Sequence, residues 1–202
     1  MFSHMFFWFF GIHGASIVGS LARSLWLVLL EANANAAAAG TELPAISAEP
    51  FYQWFIWIGG GGCTIDLALL LVMVCKSKYL KDLGKIGVIP AIFNINEPLI
   101  FGAPIVLNLT LAIPFVITPL VCAVIAWVVT ELGIVSRVIV TAPWTFPGPI
   151  DAFLATGGDW RAIVLSFILI AISIVIYYPF VKIYDRSFLS KEKEDESAVV
   201  TA

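Results

Sequence analysis

The sequence predicts an all-α integral membrane protein, with about four transmembrane helices plus re-entrant hairpins. Three observations carry this prediction. Of the 202 residues, 60% are hydrophobic and only 12% are charged, against about 25% charged in a soluble domain. Several apolar runs reach the about 20 residues that a helix needs to cross a bilayer. Polar residues beside Pro and Gly interrupt other apolar stretches, and broken backbone at membrane depth is tolerated only where it is buried in protein or lines a wet cavity.

Phe2–Phe10 is an aromatic run too short to span, and it lacks the basic start of a signal peptide. Gly11-Ile12-His13-Gly14 breaks it. Ala15–Leu30 reads as a spanning or half-buried helix with Arg23 facing protein, and the Ala-rich, acidic stretch Glu31–Pro50 reads as an exposed loop. Phe51–Cys75 reads as a span opened by an interface belt of Tyr52, Trp54 and Trp57. Its run Gly59-Gly60-Gly61-Gly62 allows close helix packing or a bend. Lys76–Lys85 forms a basic loop, cytoplasmic by the positive-inside rule. Gly87–Pro104 reads as a re-entrant piece, and Leu107–Leu132 as a span kinked by Pro114 and Pro119. Gly133–Arg161, with Pro143, Pro147 and Pro149, cannot span. Asp159 and Arg161 flank Trp160 as a helix cap and an interface anchor. Ala162–Val181 is the cleanest span, and the cations after it (Lys182, Arg186, Lys191, Lys193) put the C-terminus on the cytoplasmic side.

The chemistry concentrates in two polar breaks. Ala91–Pro104 sets Asn94, Asn96 and Glu97 in an apolar run with Pro98, Gly102 and Pro104. An ionisable residue at membrane depth is a functional-site candidate by default; the plain alternative is that Glu97 caps a short helix in a loop. His13 in the first break is either a hydrogen-bonded packing residue or a ligand contact opened by its flanking glycines. Trp8, beside His13, and Trp144, in the Pro-rich loop, suit a sugar ring, whose C–H face lies on indole while carboxylate and amide groups bond its hydroxyls. Most of the seven tryptophans are equally suited to anchoring interfaces. Asp66 is the second carboxylate at depth, either packed against Arg23 or wet near a substrate. Cys63, Cys75 and Cys122 lie far apart in apolar runs, so neither a disulfide framework nor a metal site is expected. The sequence contains no phosphate-binding loop or dinucleotide fingerprint, so no cofactor is expected. A net charge of −3 with no basic stripe speaks against nucleic acid.

Phe93-Asn94-Ile95-Asn96-Glu97-Pro98-Leu99-Ile100-Phe101-Gly102 resembles the signature of the membrane IIC component of bacterial sugar phosphotransferase systems, in the lactose/cellobiose/N,N′-diacetylchitobiose branch. Phe9–Gly14, Ala152–Arg161 (AFLATGGDWR) and Ile176–Lys182 (IYYPFVK) fit it too, and the likeness runs from about Trp8 to Asp185. The resemblance implies a sugar permease that binds a β-linked disaccharide and delivers it to the cytoplasmic side of the bacterial inner membrane. There a phosphocysteine on a separate IIB protein, itself fed by IIA and the general phosphotransferase proteins, phosphorylates the 6-hydroxyl. By position, Glu97 matches a glutamate that bonds or deprotonates that hydroxyl, His13 a sugar-contacting histidine and Trp8 a sugar-contacting tryptophan. Asn94 and Asn96 flank the site, and Trp144 falls near a second tryptophan. Residues 1–185 then correspond to the C-terminal, substrate-binding part of a IIC domain and 186–202 to a charged cytoplasmic tail. A homodimer is implied once the missing N-terminal half is supplied.

Two readings compete with this one. An ion- or proton-coupled transporter or channel would use Glu97 and Asp66 as its charged sites and deliver unmodified solute. A membrane remnant that folds only with its missing half would bind no sugar.

Overall fold

A computed structural model describes residues 2–103, 105–144 and 146–200; Pro104 of the second break and the last two residues of the tail lie outside them. The described secondary structure is wholly helical: α1 (Phe2–Phe9), α2 (Gly14–Ala39), α3 (Glu49–Phe55), α4 (Thr64–Met73), α5 (Lys78–Ile92), α6 (Glu97–Gly102), α7 (Leu109–Glu131), α8 (Gly148–Ala155) and α9 (Trp160–Val200). Three of these are long and apolar enough to cross a membrane: α2, α7 and the Trp160–Glu192 part of α9.

Local chemistry sets the boundaries. His13 caps α2, and Gly40 closes it in the left-handed conformation. Asn108 Oδ1 accepts from Thr110 N at 3.0 Å and opens α7. Asp159 Oδ1 accepts from Arg161 N at 3.0 Å and opens α9, as the sequence suggests. Burial works against the Asp159 carboxylate, yet hydrogen bonds from the Arg161 side chain and from Ser136 hold its pKa down at about 2. Pro50, Pro98 and Pro149 each sit in a first turn, where a missing N–H costs nothing.

Three sequence expectations need correction. Phe51–Cys75 is not one continuous span: α3 ends at Phe55 and α4 starts at Thr64. Between them Gly59, Gly60, Gly62 and Cys63 take positive φ, which no helix accommodates. Glu31–Pro50 is not a loop throughout, because α2 runs on to Ala39. Alanine has the strongest helix propensity, and buried Asn33 anchors this extension by donating to Ala45 O at 2.7 Å and to Val138 O at 2.8 Å. Lys76–Lys85 is mostly helix: Ser77 Oγ accepts from Leu80 N and starts α5 one residue later.

The core forms where α4 packs on α5 and α9, α7 packs on α9, and α8 packs on α3 and α9. Trp54, Phe55, Leu67, Leu71, Phe115 and Tyr177 are completely buried there. Tyr177 donates its hydroxyl to Gly62 O at 2.6 Å, tying α9 to the glycine turn. All three cysteines are buried and unpaired, as small apolar residues are.

Candidate functional site

Three interruptions of the helical structure meet at one place: the turn between α1 and α2, the glycine turn between α3 and α4, and residues 93–96 between α5 and α6. The carboxamides of the last segment satisfy the broken backbone of its neighbours. Asn94 Oδ1 accepts from Gly59 N at 3.0 Å, and its Nδ2 donates to Phe146 O at 3.2 Å. Asn96 Nδ2 donates to Gly61 O at 2.8 Å. Backbone groups buried without such partners would each forfeit a hydrogen bond. Asn94 also holds φ at 62°, a left-handed conformation that Asn tolerates better than most residues.

Around this junction lies a cavity of about 530 Å³, within the usual range for small-molecule sites. His13 and Glu97 face each other across it, Nε2 to Oε1 3.7 Å, with both side chains nearly half exposed to the opening (49% and 45%). That separation is too long for a hydrogen bond. His13 Nδ1 accepts from Ser16 N at 3.2 Å and lies 2.9 Å from Ser16 Oγ. With Nδ1 serving as acceptor, the proton of a neutral ring is assigned to Nε2, aimed at Glu97.

Aromatic rings wall the space. The Trp8 ring lies 4.6 Å from His13, His4 stacks on Trp57 at 4.4 Å, and Trp144 lies 5.6 Å from Trp54. The indole N–H groups of Trp8 and Trp57 and both ring nitrogens of His4 are buried without a partner among the described residues. Such groups cost about 1–3 kcal/mol apiece until something bonds them. Gly61 makes room for them: a Cβ there would stand 2.9 Å from His4 Nε2 and 3.1 Å from Trp8 Nε1. Flat apolar faces, an imidazole and one carboxylate open to the cavity together fit a neutral polyhydroxylated ligand.

Trp8, His13, Asn94, Asn96, Glu97 and Trp144 all line this one cavity. His4, which the sequence reading does not single out, lines it as well, together with Trp57, Gly60, Gly61 and Pro98, which that reading gives only interface or backbone roles. His4 sits inside an aromatic run, and Trp57 is indistinguishable from an interface anchor; the glycines that begin two residues after Trp57 are the available signal. Asp66 is fully buried away from the cavity lining. It does not pack against Arg23, whose guanidinium instead pairs with Glu49, Nη2 to Oε1 at 2.9 Å. Glu49 sits at the start of α3, facing α2, whereas Asp66 lies one helix further along the chain.

A family model described as "Phosphotransferase system, EIIC" matches residues 1–119. The chain belongs to this family. The lichenan permease IIC component of Bacillus subtilis (strain 168) is 42% identical to this EIIC chain over 193 residues, covering 95% of the chain and 43% of the relative. The lactose-specific EIICB component of the Streptococcus mutans phosphotransferase system is 39% identical over 197 residues, 97% of the chain and 34% of the relative. Among solved structures, the transporter ChbC, the IIC component from the N,N′-diacetylchitobiose-specific phosphotransferase system, superposes with a TM-score of 0.92 at 36% identity. That match covers 95% of this chain and 45% of ChbC. The chain therefore spans less than half the length of these relatives. As an EIIC chain with three helices suited to crossing a bilayer, it is an integral membrane protein.

Proposed function

We propose that this EIIC chain is the sugar-binding part of a phosphotransferase permease for β-linked disaccharides of the cellobiose or N,N′-diacetylchitobiose class. The carrying observation is the His13–Glu97 pair, 3.7 Å apart, in a cavity walled by Trp8, Trp57 and Trp144. Lichenan, lactose and N,N′-diacetylchitobiose, named in the relatives' descriptions, share β linkages, which supports the substrate class.

In this reading the sugar lays C–H faces on Trp8 and Trp144 while Asn94 and Asn96 hold the wall in shape. One hydroxyl sits beside the acid–base pair, accepting from His13 Nε2–H and donating to the Glu97 carboxylate. On the cytoplasmic side the phosphocysteine of a IIB partner supplies the phosphoryl group. The sugar oxygen forms the new O–P bond, the S–P bond breaks, the thiolate leaves on IIB, and the hydroxyl proton passes to Glu97. Glu97 and His13 thus act on the reacting hydroxyl, and no cofactor or metal is required. Residues 1–185 serve as the binding part, with 186–202 as a cytoplasmic extension. The cations Lys182, Arg186 and Lys191 support a cytoplasmic C-terminus. A homodimer forms when the rest of the relatives' length is supplied, and IIA with the general phosphotransferase proteins stands upstream.

Glu97→Gln tests the reading. The expected result is retained disaccharide binding with phosphorylation by phospho-IIB slowed about 10²–10⁴-fold, the usual worth of a positioned acid–base group. An unchanged rate would remove the base role. Delivery of unphosphorylated sugar coupled to an ion gradient would turn the assignment toward a secondary transporter.

A further inference from the structure

We propose that Asp151 is a positioning residue for the sugar site: protonated, it seats α8 and the loop before it against Asn94, and ionised, it unseats them and loosens the sugar. The inference rests on the sugar-binding reading of the cavity and adds a pH-dependent control to it.

One wall of the cavity hangs from the start of α8. Trp144 lines the cavity, and its ring lies 5.6 Å from that of Trp54 on α3. Two residues later, Phe146 O accepts from Asn94 Nδ2 at 3.2 Å. A Cβ on Gly148 would stand 3.3 Å from Ile58 Cγ2 and 3.9 Å from Asn94 Oδ1, so the first residue of α8 rests on the break that precedes Glu97. Pro147 O then accepts from Ile150 N at 2.9 Å and from Asp151 N at 3.2 Å, which ties Asp151 to this wall within one turn. Ala152 and Ala155 are completely buried, as α8 packs on α3 and α9.

Asp151 is completely buried in this seat, and neither of its carboxyl oxygens has a partner among the described residues. The titratable groups of the neighbouring elements are engaged elsewhere. On α3, Glu49 pairs with Arg23 and Tyr52 turns its ring onto Trp26. On α9, Asp159 pairs with Arg161 at 2.8 Å, and Tyr177 donates to Gly62 O. In the loop before α8, Arg137 pairs with Glu131. Burial alone therefore acts on the Asp151 carboxyl, and it lifts the pKa from 3.8 to about 7. Asp159 gives the contrast, since its hydrogen bonds hold it at about 2. α8 is not among the helices long enough to cross a membrane.

A buried carboxylate without a cation costs far more than a buried carboxylic acid. The seated form of α8 thus holds the proton more tightly than a lifted form, whose Asp151 returns to the ordinary 3.8. Between about pH 4 and 7 the seated form carries one proton more, and each unit of rising pH weakens it about tenfold against the lifted form. Above about 7 both forms are ionised and the loss levels off. Lifting α8 brings water to the carboxylate and draws Trp144 from the cavity and Phe146 O from Asn94. Sugar is held tightly on the acid side and loosely toward neutrality.

Calorimetric titration of the purified chain with cellobiose and N,N′-diacetylchitobiose from pH 5 to 8, beside amide exchange of α8, tests this. Two variants accompany the wild type. Asp151→Asn keeps the shape without the charge, and Asp151→Leu suits a seat that offers no polar partner. The ratio of wild-type to variant Kd cancels the titration of His13 and Glu97, which all three proteins share. That ratio is expected to climb at least about tenfold from pH 5 to 8, with a ceiling of about 100-fold for the two units below pH 7. Compared at equal pH, wild-type α8 is expected to exchange faster than both variants at pH 8 and to match them at pH 5. A constant ratio, or equal exchange at pH 8, would overturn the control by Asp151 while the sugar site stands. No disaccharide binding at any pH by the folded proteins would overturn the sugar-binding reading and the positioning role with it.

Discussion

Gly60 holds φ at 98°, and a Cβ built on it would stand 2.5 Å from Cγ of Asn96, the side chain that bonds Gly61 O. Gly40 also has positive φ (69°), but no atom lies within 4 Å of its would-be Cβ. The pair separates backbone strain from steric clash. Gly40→Ala should cost about 1–2 kcal/mol, the left-handed penalty alone. Gly60→Ala should cost about 2–5 kcal/mol, because overpacking adds about 1–3, and it should weaken disaccharide binding by pushing Asn96 off the glycine turn. Thermal unfolding in detergent with parallel titrations checks both, and equal costs would mean that Asn96 yields freely. At this scale much of the site is legible in the sequence, because a carboxylate and two carboxamides have few reasons to sit beside Pro and Gly in an apolar run. What the sequence does not reveal is the division of labour. Asn94 spends both ends of its amide on the backbone, whereas His13 and Glu97 stay open to the cavity. His4 gives no local signal, since its unbonded nitrogens only gain meaning once Trp57 stacks on it.

The helices show what average hydropathy can and cannot report. α7 falls close to the predicted Leu107–Leu132, and α9 starts close to the predicted Ala162–Val181 but runs on to Val200; long apolar runs have one economical solution in a membrane, the helix. Phe51–Cys75 is an apolar run too, but its four consecutive glycines remove the helix between α3 and α4 and create the turn that Asn94 and Asn96 grip. At the other end of α2, alanine propensity alone does not hold an exposed helix terminus in place. Asn33 does, through three hydrogen bonds: two donated by Nδ2, and one accepted by Oδ1 from Ala45 N at 2.9 Å. Asn33→Ala should therefore destabilise the protein by about 2–4 kcal/mol, since each lost bond is worth about 1 kcal/mol and buried partners are left unpaired. Amide exchange through residues 40–48 should quicken while that of α7 stays slow. Unchanged exchange in the 40–48 segment would show that the loop is held by other contacts.

Across the whole molecule the distant end of the chain closes on its middle. Asp185, on α9, accepts backbone N–H bonds from Lys76 at 3.0 Å and from Ser77 at 2.9 Å, more than a hundred residues earlier. One helical position before it, Tyr184 donates its hydroxyl to Ala103 O at 3.1 Å, at the end of α6. The long last helix thus clamps the α4–α5 corner and the end of the segment that carries Glu97, so the cavity's floor depends on contacts far from it in sequence. No local pattern predicts this clamp, because Asp185 lies among ordinary tail charges and its partners are main-chain groups. Cys75, 2% exposed beside the clamp, is a built-in reporter. Asp185→Ala strands two N–H groups, one of them on fully buried Ser77, and hydrogen bonds to charged groups are worth about 1.5–3 kcal/mol each. The corner should open more often in the variant, and a maleimide should modify Cys75 at least about tenfold faster, the change that about 1.4 kcal/mol of opening energy gives. Cys63 and Cys122, buried near the glycine turn and within α7, should keep their protection. Uniform acceleration at all three cysteines would indicate global destabilisation, and no acceleration at Cys75 would remove Asp185 from any clamping role.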